Sequence, residues 1–234
     1  MGKEVRPLGP LALLLAKGKV LLGALLKLKF IFSLAAFMAV YWALYGAKFG
    51  IGFALLILLH EMGHFIDIKR RGLPAEMPVF MPGLGAYVRW QALGVPLETR
   101  SAISLAGPLA GLLGASICAL IFLKTGDGVW GALAHATAWL NILNLIPVWI
   151  LDGGQAVLAL SKFQRIFLLA GALALWVVLG ENVFFLVALG FAWRSFTKDA
   201  PTQPSGGILL YYAALLVSLG GLMWMLPNHA PAMR

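Results

Sequence analysis

Charge is what this sequence has least of. Lys, Arg, Asp and Glu make up 12% of its 234 residues, and only nine of them are acidic. A soluble domain carries about twice that share, so the chain cannot clothe an ordinary globule in charge. Disorder is excluded from the other side, because disordered segments combine low hydrophobicity with high charge. One cysteine, Cys118, leaves no partner for an internal disulfide, and its apolar run favours plain packing over reactivity. The N-terminus shows no signal-peptide cleavage pattern, and Arg6 breaks the myristoylation pattern that Met1-Gly2 begins. What is abundant is apolar: 61% of the residues are hydrophobic before 27 glycines are counted, and the mean hydropathy is +0.90. No soluble domain of this length has an interior large enough to hide that much. Composition therefore predicts a polytopic membrane protein. The net charge of +9 does not point to nucleic acid, because the basic residues sit at the ends of apolar runs, where membrane orientation places them.

A membrane-crossing helix needs about 17 to 25 apolar residues. Windows of that kind cover 30–46, 50–67, 101–123, 130–151 and 207–226. Residues 165–193 are apolar but interrupted by Gly180, Glu181 and Asn182, which predicts a tight pair of short helices. Segment 8–29 carries Lys17, Lys19, Lys27 and Lys29 among leucines; lysines in mid-span are costly, so this segment is expected on the membrane surface. The fold class is then an all-α polytopic membrane protein with about six to seven transmembrane segments. Its parts are a basic interfacial segment (1–29), a transmembrane core (30–160) and C-terminal transmembrane segments (161–234). With the N-terminus in the cytoplasm and 165–193 crossing twice, 15 of the 18 basic residues fall on the cytoplasmic side, as cytoplasmic loops require.

Residues 76–90 fit neither a span nor an ordinary loop. They are apolar, yet Pro78, Pro82 and the Pro82-Gly83 turn signal forbid a helix. Two short extended arms form a hairpin, allowed at membrane depth only where protein or a wet cavity satisfies its backbone. The alternative is a cytoplasmic loop against lipid headgroups.

Chemistry begins inside the second window, at His60-Glu61-Met62-Gly63-His64. Positions i and i+4 share a helix face, so both imidazoles can reach one metal ion with Glu61 beside it. In a membrane span such groups cost several kcal/mol unless something compensates, which argues against idle packing. Catalytic zinc takes three protein ligands and a water, so a third ligand is needed. His135 lies 17 residues before Asp152, about 25 Å along a helix, near the opposite surface. Glu181 falls on that far side and His229 in the tail. Asp67 sits on the same helix as the pair, nearly two turns from His60, and reads as an interface residue or a partner to a ligand. Asp152 remains: Pro147 precedes it and Gly153-Gly154 follow, so the backbone can leave helical geometry and aim a carboxylate inward. Both motifs approach the same basic surface.

These residues resemble the site-2 protease family of intramembrane zinc metalloproteases, whose signature is His-Glu-x-x-His in one span and Asn-x-x-Pro-x-x-x-Leu-Asp-Gly in a later one. His60, Glu61, His64, Asn144, Pro147, Leu151, Asp152 and Gly153 fill every position. The resemblance implies one Zn2+ per chain held by His60, His64 and Asp152, with Glu61 activating the water and Asn144 contacting substrate or the developing oxyanion. It extends to the small-residue run Gly107-Pro-Leu-Ala-Gly111, whose spacing allows close helix packing, and to hairpin 76–90, which resembles a membrane-inserted β-element. Together these cover about residues 30 to 155. Gln155 departs from the family pattern, standing where many relatives have arginine. No segment of domain size remains for a PDZ or CBS domain, so a near-minimal core member is expected. The implied function is hydrolysis of a peptide bond in or near the span of a single-span membrane protein, in a prokaryotic cytoplasmic membrane. A metal transporter or a non-proteolytic zinc-binding membrane protein is the competing reading. A transporter should show polar spans forming a path, which the last three segments lack; an inactive relative would usually lose the glutamate or a ligand, and none is lost.

Overall fold

The computed structural model describes residues 10–83 and 85–226, with only the backbone given for 10–27. The protein is a mostly helical, polytopic membrane protein. The elements run α1 (Pro10–Tyr45), α2 (Ala47–Arg70), strands β1 (Val79–Met81) and β2 (Gly85–Tyr87), α3 (Leu97–Thr125), α4 (Gly128–Asn144), α5 (Asp152–Ala156), α6 (Lys162–Leu179), α7 (Asn182–Ser195) and α8 (Gly206–Met225). Among the described residues, five helical stretches are long and apolar enough to cross a membrane: Leu28–Tyr45, α2, α3, α6 and α8. Polarity is distributed as a lipid solvent demands. Large apolar side chains such as Leu113, Ile117, Val177, Leu210 and Trp224 face outward, while His60, Glu61, His64, Asn141, Gln164 and Arg165 are buried.

Two expected boundaries differ. α1 is continuous through residue 29, so the basic segment and the first span share one helix; residues 1–9 lie outside the described part, as does His229. The window at 130–151 contains a helix only to Asn144, because Pro147 cannot continue the i→i−4 ladder. Its 17 residues extend about 25 Å, and the rest of the window becomes an irregular turn leading to Asp152. The pair expected within 165–193 is present as α6 and α7, joined at Gly180 in the left-handed region (φ 74°).

Helices α3 to α8 share one apolar core, built around Leu105, Ile142, Leu145, Leu160, Phe184, Phe191 and Leu216. α1 packs on α2 through a second cluster of Phe37, Ala54 and Ile57, which Phe80 of β1 joins. The Phe80 ring meets Phe37 edge-on at 5.6 Å, so the hairpin is anchored to the helices by its own side chain.

The irregular stretch between α4 and α6 is held from below. Arg165 is fully buried; its guanidinium donates to the carbonyls of Val157 (3.2 Å) and Leu160 (3.0 Å), to Arg194 O (2.9 Å), and to Asp199 Oδ1 (2.9 Å). Tyr212 of α8 donates its hydroxyl to Leu145 O, a carbonyl left over at the end of α4. Gly153 lies so close to both that a Cβ there would collide with them.

α2 and α3 form an antiparallel pair with residue 72 beyond the end of α2 and residue 126 beyond the end of α3. Single cysteines placed at 72 and 126 should therefore react with a membrane-impermeant maleimide from opposite faces. Labelling of both from one face would overturn the crossing arrangement.

Candidate metal centre

α2 places His60, Glu61 and His64 on the face turned toward α3 and α4, and all three are buried. Small residues make that approach possible. A Cβ on Gly63 would strike the Ala106 carbonyl, one on Gly107 would strike the His64 ring, and one on Gly111 the Asn141 amide. The glycines of α3 are thus the floor on which one imidazole and its neighbour's partner rest.

Asp152 arrives from the other side. After α4 ends, the chain passes Pro147 and turns at Trp149, the non-glycine residue with a positive φ (33°) among those described. Such a conformation costs about 1–3 kcal/mol and persists only where its surroundings hold it. The turn delivers Asp152 as the first residue of α5, with its carboxylate against the histidines. His60 Nε2 lies 3.1 Å from Asp152 Oδ2, His64 Nε2 lies 3.2 Å from Asp152 Oδ1, and the two Nε2 atoms are 3.2 Å apart.

The outer nitrogens decide what this cluster is. Asn141 Nδ2 donates to Thr137 O at 2.7 Å, which fixes the amide and turns its oxygen, an acceptor only, toward His60 Nδ1 at 2.8 Å. The carbonyl of Ile103, also an acceptor only, stands 2.8 Å from His64 Nδ1. Each neutral imidazole therefore carries its proton on Nδ1 and presents a bare lone pair at Nε2. Two ring nitrogens and a carboxylate converge, and Asp152 Oδ2 is buried with no hydrogen-bond donor. A cation held among them satisfies all three. The spacing suits zinc: metal–ligand distances of about 2.0–2.2 Å in a tetrahedron put ligand atoms about 3.3–3.6 Å apart, within a few tenths of an ångström of those found. The cluster is capable of coordinating a metal.

Glu61 and Asn144 line the same cavity of about 700 Å³ as the three ligand-type residues, together with Ser104, Leu143 and Gln155 of the helices and Ala86, Tyr87 and Val88 of the hairpin. The other acids and histidines lie elsewhere. Asp67 pairs with Arg70 (2.6 Å) and Arg71 (2.9 Å), Glu181 precedes α7, and His135 sits in the second turn of α4. Sequence reading missed Asn141. Its signal was available: an amide within an apolar helix, one turn before Asn144, needs a polar partner.

Comparison with known proteins agrees with the geometry. Residues 48–128 match the family described as peptidase family M50. The chain is 27% identical over 175 residues to a probable chloroplastic zinc metalloprotease of Arabidopsis thaliana, EGY1, covering 55% of this chain and 32% of that protein. A second Arabidopsis protein, the probable chloroplastic zinc metalloprotease EGY2, is 26% identical over 227 residues, covering 71% of this chain and 40% of its own. The chain thus spans well under half the length of either relative. The matched segment, residues 48–128, contains the His-Glu-x-x-His motif and the glycine run. Asp152 lies beyond the matched segment and is tied to it by the contacts above.

Replacing Asn141 by Leu frees the His60 ring to change tautomer and rotate. Zinc affinity, measured by chelator competition on purified protein, should fall about 10- to 100-fold, the usual effect of removing a group that orients a ligand. Unchanged affinity would show that the Asn141 contact does not orient the site.

Proposed function

We propose that this chain is an intramembrane zinc metalloprotease that hydrolyses a peptide bond in or near the span of a single-span membrane protein. The observation that carries this reading is the convergence of His60 Nε2, His64 Nε2 and Asp152 beside a buried, non-ligating Glu61 in one cavity. One Zn2+ per chain fits the donor set, with His60, His64 and Asp152 as its ligands. Zinc bound there would supply Lewis acidity and lower the pKa of a water.

The protein's residues supply the rest. Glu61 takes a proton from the attacking water and returns it to the leaving amine nitrogen, so peptide plus water becomes carboxylate plus amine. Asn144, on the cavity wall, donates from its amide to the substrate carbonyl as negative charge develops there. Burial among Leu140, Leu143 and Ile57 keeps the reacting groups in low dielectric, where such donors act more strongly.

The hairpin presents the substrate in extended form. The Phe80 N–H leaves the sheet and donates to Ser33 Oγ of α1 at 3.3 Å, so Phe80 and Ala86, which are opposite one another, form the non-hydrogen-bonded kind of pair. The N–H and C=O of Ala86 then point away from β1. By alternation those of Val88 do too, and the Glu76 N–H bond to Arg89 O at 3.0 Å gives the same phase from the other end. Both residues line the cavity. They form a free edge onto which a substrate strand adds. The basic asymmetry orients the N-terminus and residues 69–100 to the cytoplasm of a prokaryotic cell, where water reaches the cavity and the cut fragment leaves.

Two experiments test this, both on purified protein in detergent with a fluorescein-labelled leucine-rich peptide of about 25 residues, interrupted by a central Asn-Pro. Glu61→Gln should keep its zinc and bind the peptide while cleavage drops by a factor on the order of 100 or more; Asp152→Ala should lose zinc and activity together. Cleavage that survives Glu61→Gln would falsify the mechanism, and a wild type that never cuts would favour a non-proteolytic zinc protein or transporter.

Val88→Pro removes a cavity-facing N–H without touching the β1–β2 ladder. Turnover of the same peptide should fall about tenfold, within the range of one or two lost hydrogen bonds, at full zinc content. Wild-type turnover in that variant would reduce the hairpin to a loop.

A further inference from the structure

Gln155 is a polar side chain of the cavity wall whose orientation is dictated from outside the cavity. Arg100, in the first turn of α3, places its guanidinium NH2 3.0 Å from Gln155 Oε1. A guanidinium only donates, so the amide oxygen must face Arg100, and the amide is held against rotation. Ser101 adds a second tie, its hydroxyl donating to the Gln155 main-chain carbonyl at 3.2 Å. With the oxygen turned outward, the Nε2 donors remain. They bond to no described residue, and Gln155 lines the cavity.

The position of that amide matters. Gln155 is three residues after Asp152 on α5, and i,i+3 positions share a helix face about 5–6 Å apart. An extended chain paired on the Ala86–Val88 edge presents its carbonyls alternately toward and away from the hairpin. Those turned away need donors on the opposite wall, and an unpaired carbonyl in an apolar cavity is costly.

Resting on the protease reading above, we propose that Gln155 is a substrate-binding residue: its Nε2 donates to a main-chain carbonyl of the substrate next to the scissile bond, and Arg100 is the positioning residue that keeps that donor facing the cavity. Recognition of a main-chain group is indifferent to the substrate's side chains, so the pair selects for extended backbone rather than for sequence.

Four non-cutting proteins, the active Gln155→Glu enzyme and the wild type decide it. The Glu61→Gln background binds the labelled peptide without cutting it, and fluorescence anisotropy gives its Kd. Adding Gln155→Glu keeps size and the bond to Arg100 but offers only acceptors, so binding should weaken about tenfold at unchanged zinc content. Arg100→Met frees the amide to turn, and binding should weaken about threefold with zinc unchanged. The exchange of both, Arg100→Gln with Gln155→Arg, restores a fixed donor and should return Kd to within about threefold of the background. In the active enzyme, Gln155→Glu should raise KM and leave kcat within about twofold. Equal binding in the background and in Gln155→Glu overturns the assignment while leaving the protease standing. So does zinc loss in Gln155→Glu that the exchange fails to repair, which would make the residue structural. A wild type that neither binds nor cuts the peptide overturns both readings.

Discussion

Two imidazole nitrogens and a carboxylate pressed together in a buried site are the constraint on which the rest of this protein depends. His60 Nε2, His64 Nε2 and the Asp152 carboxylate lie 3.1–3.2 Å from one another, a spacing that suits a cation held between them. The arrangement is enforced rather than tolerated. Asn141 and the Ile103 carbonyl each hold the outer nitrogen of one imidazole, and the His64 ring rests directly on Gly107 of α3. In lipid the alternative, solvating each group with water, is closed along most of the helix. Free energy of binding a metal there would also be free energy of folding around the site.

Getting Asp152 to that point requires irregular backbone inside a helical bundle, where each unpaired amide or carbonyl is costly. The structure meets this locally. Tyr212 takes the Leu145 carbonyl, Arg165 takes those of Val157 and Leu160, and Gln164 both caps α6 through its contact with Ser161 and accepts from the Ser205 N–H at 3.2 Å. Arg165 is therefore a distant support of the ligand loop. Its carboxylate partner Asp199 lies in the loop after α7. There partial burial raises the carboxyl's pKa, but the Thr197 hydroxyl and the guanidinium groups of Arg165 and Arg194 outweigh it, holding Asp199 below the usual carboxylate range.

What the sequence could disclose follows from which interactions are local. The His60–His64 spacing, the breaker at Pro147 before Asp152, the Pro82-Gly83 hairpin and the Gly180 junction are encoded within a few residues, and the structure brings the first two together and forms the latter two. The span at 130–151 ended early because a hydropathy window registers apolar content and not the loss of a helix. The partner of Asn141 and the Arg100–Gln155 contact were illegible for a different reason. Each depends on a partner 81 or 55 residues away, and no periodicity in one helix states which amide will face which imidazole.

On the protease reading proposed above, the cavity's two walls divide the work of handling a peptide. On one side is backbone, the free edge of β2 continuing to Val88; on the other are side chains on α2, α4 and α5. A helical substrate satisfies neither, because its carbonyls are already bonded to its own amides. An extended substrate satisfies both at once, pairing with the edge while its remaining carbonyls turn toward Asn144 and Gln155. Unwinding is then driven by exchange of one set of hydrogen bonds for another at similar energy, and not by force applied to the helix. A segment whose helix is already weak, through glycine, proline or asparagine, loses least in that exchange. Selectivity for such segments follows from the backbone chemistry of the cavity without any pocket that reads a particular side chain.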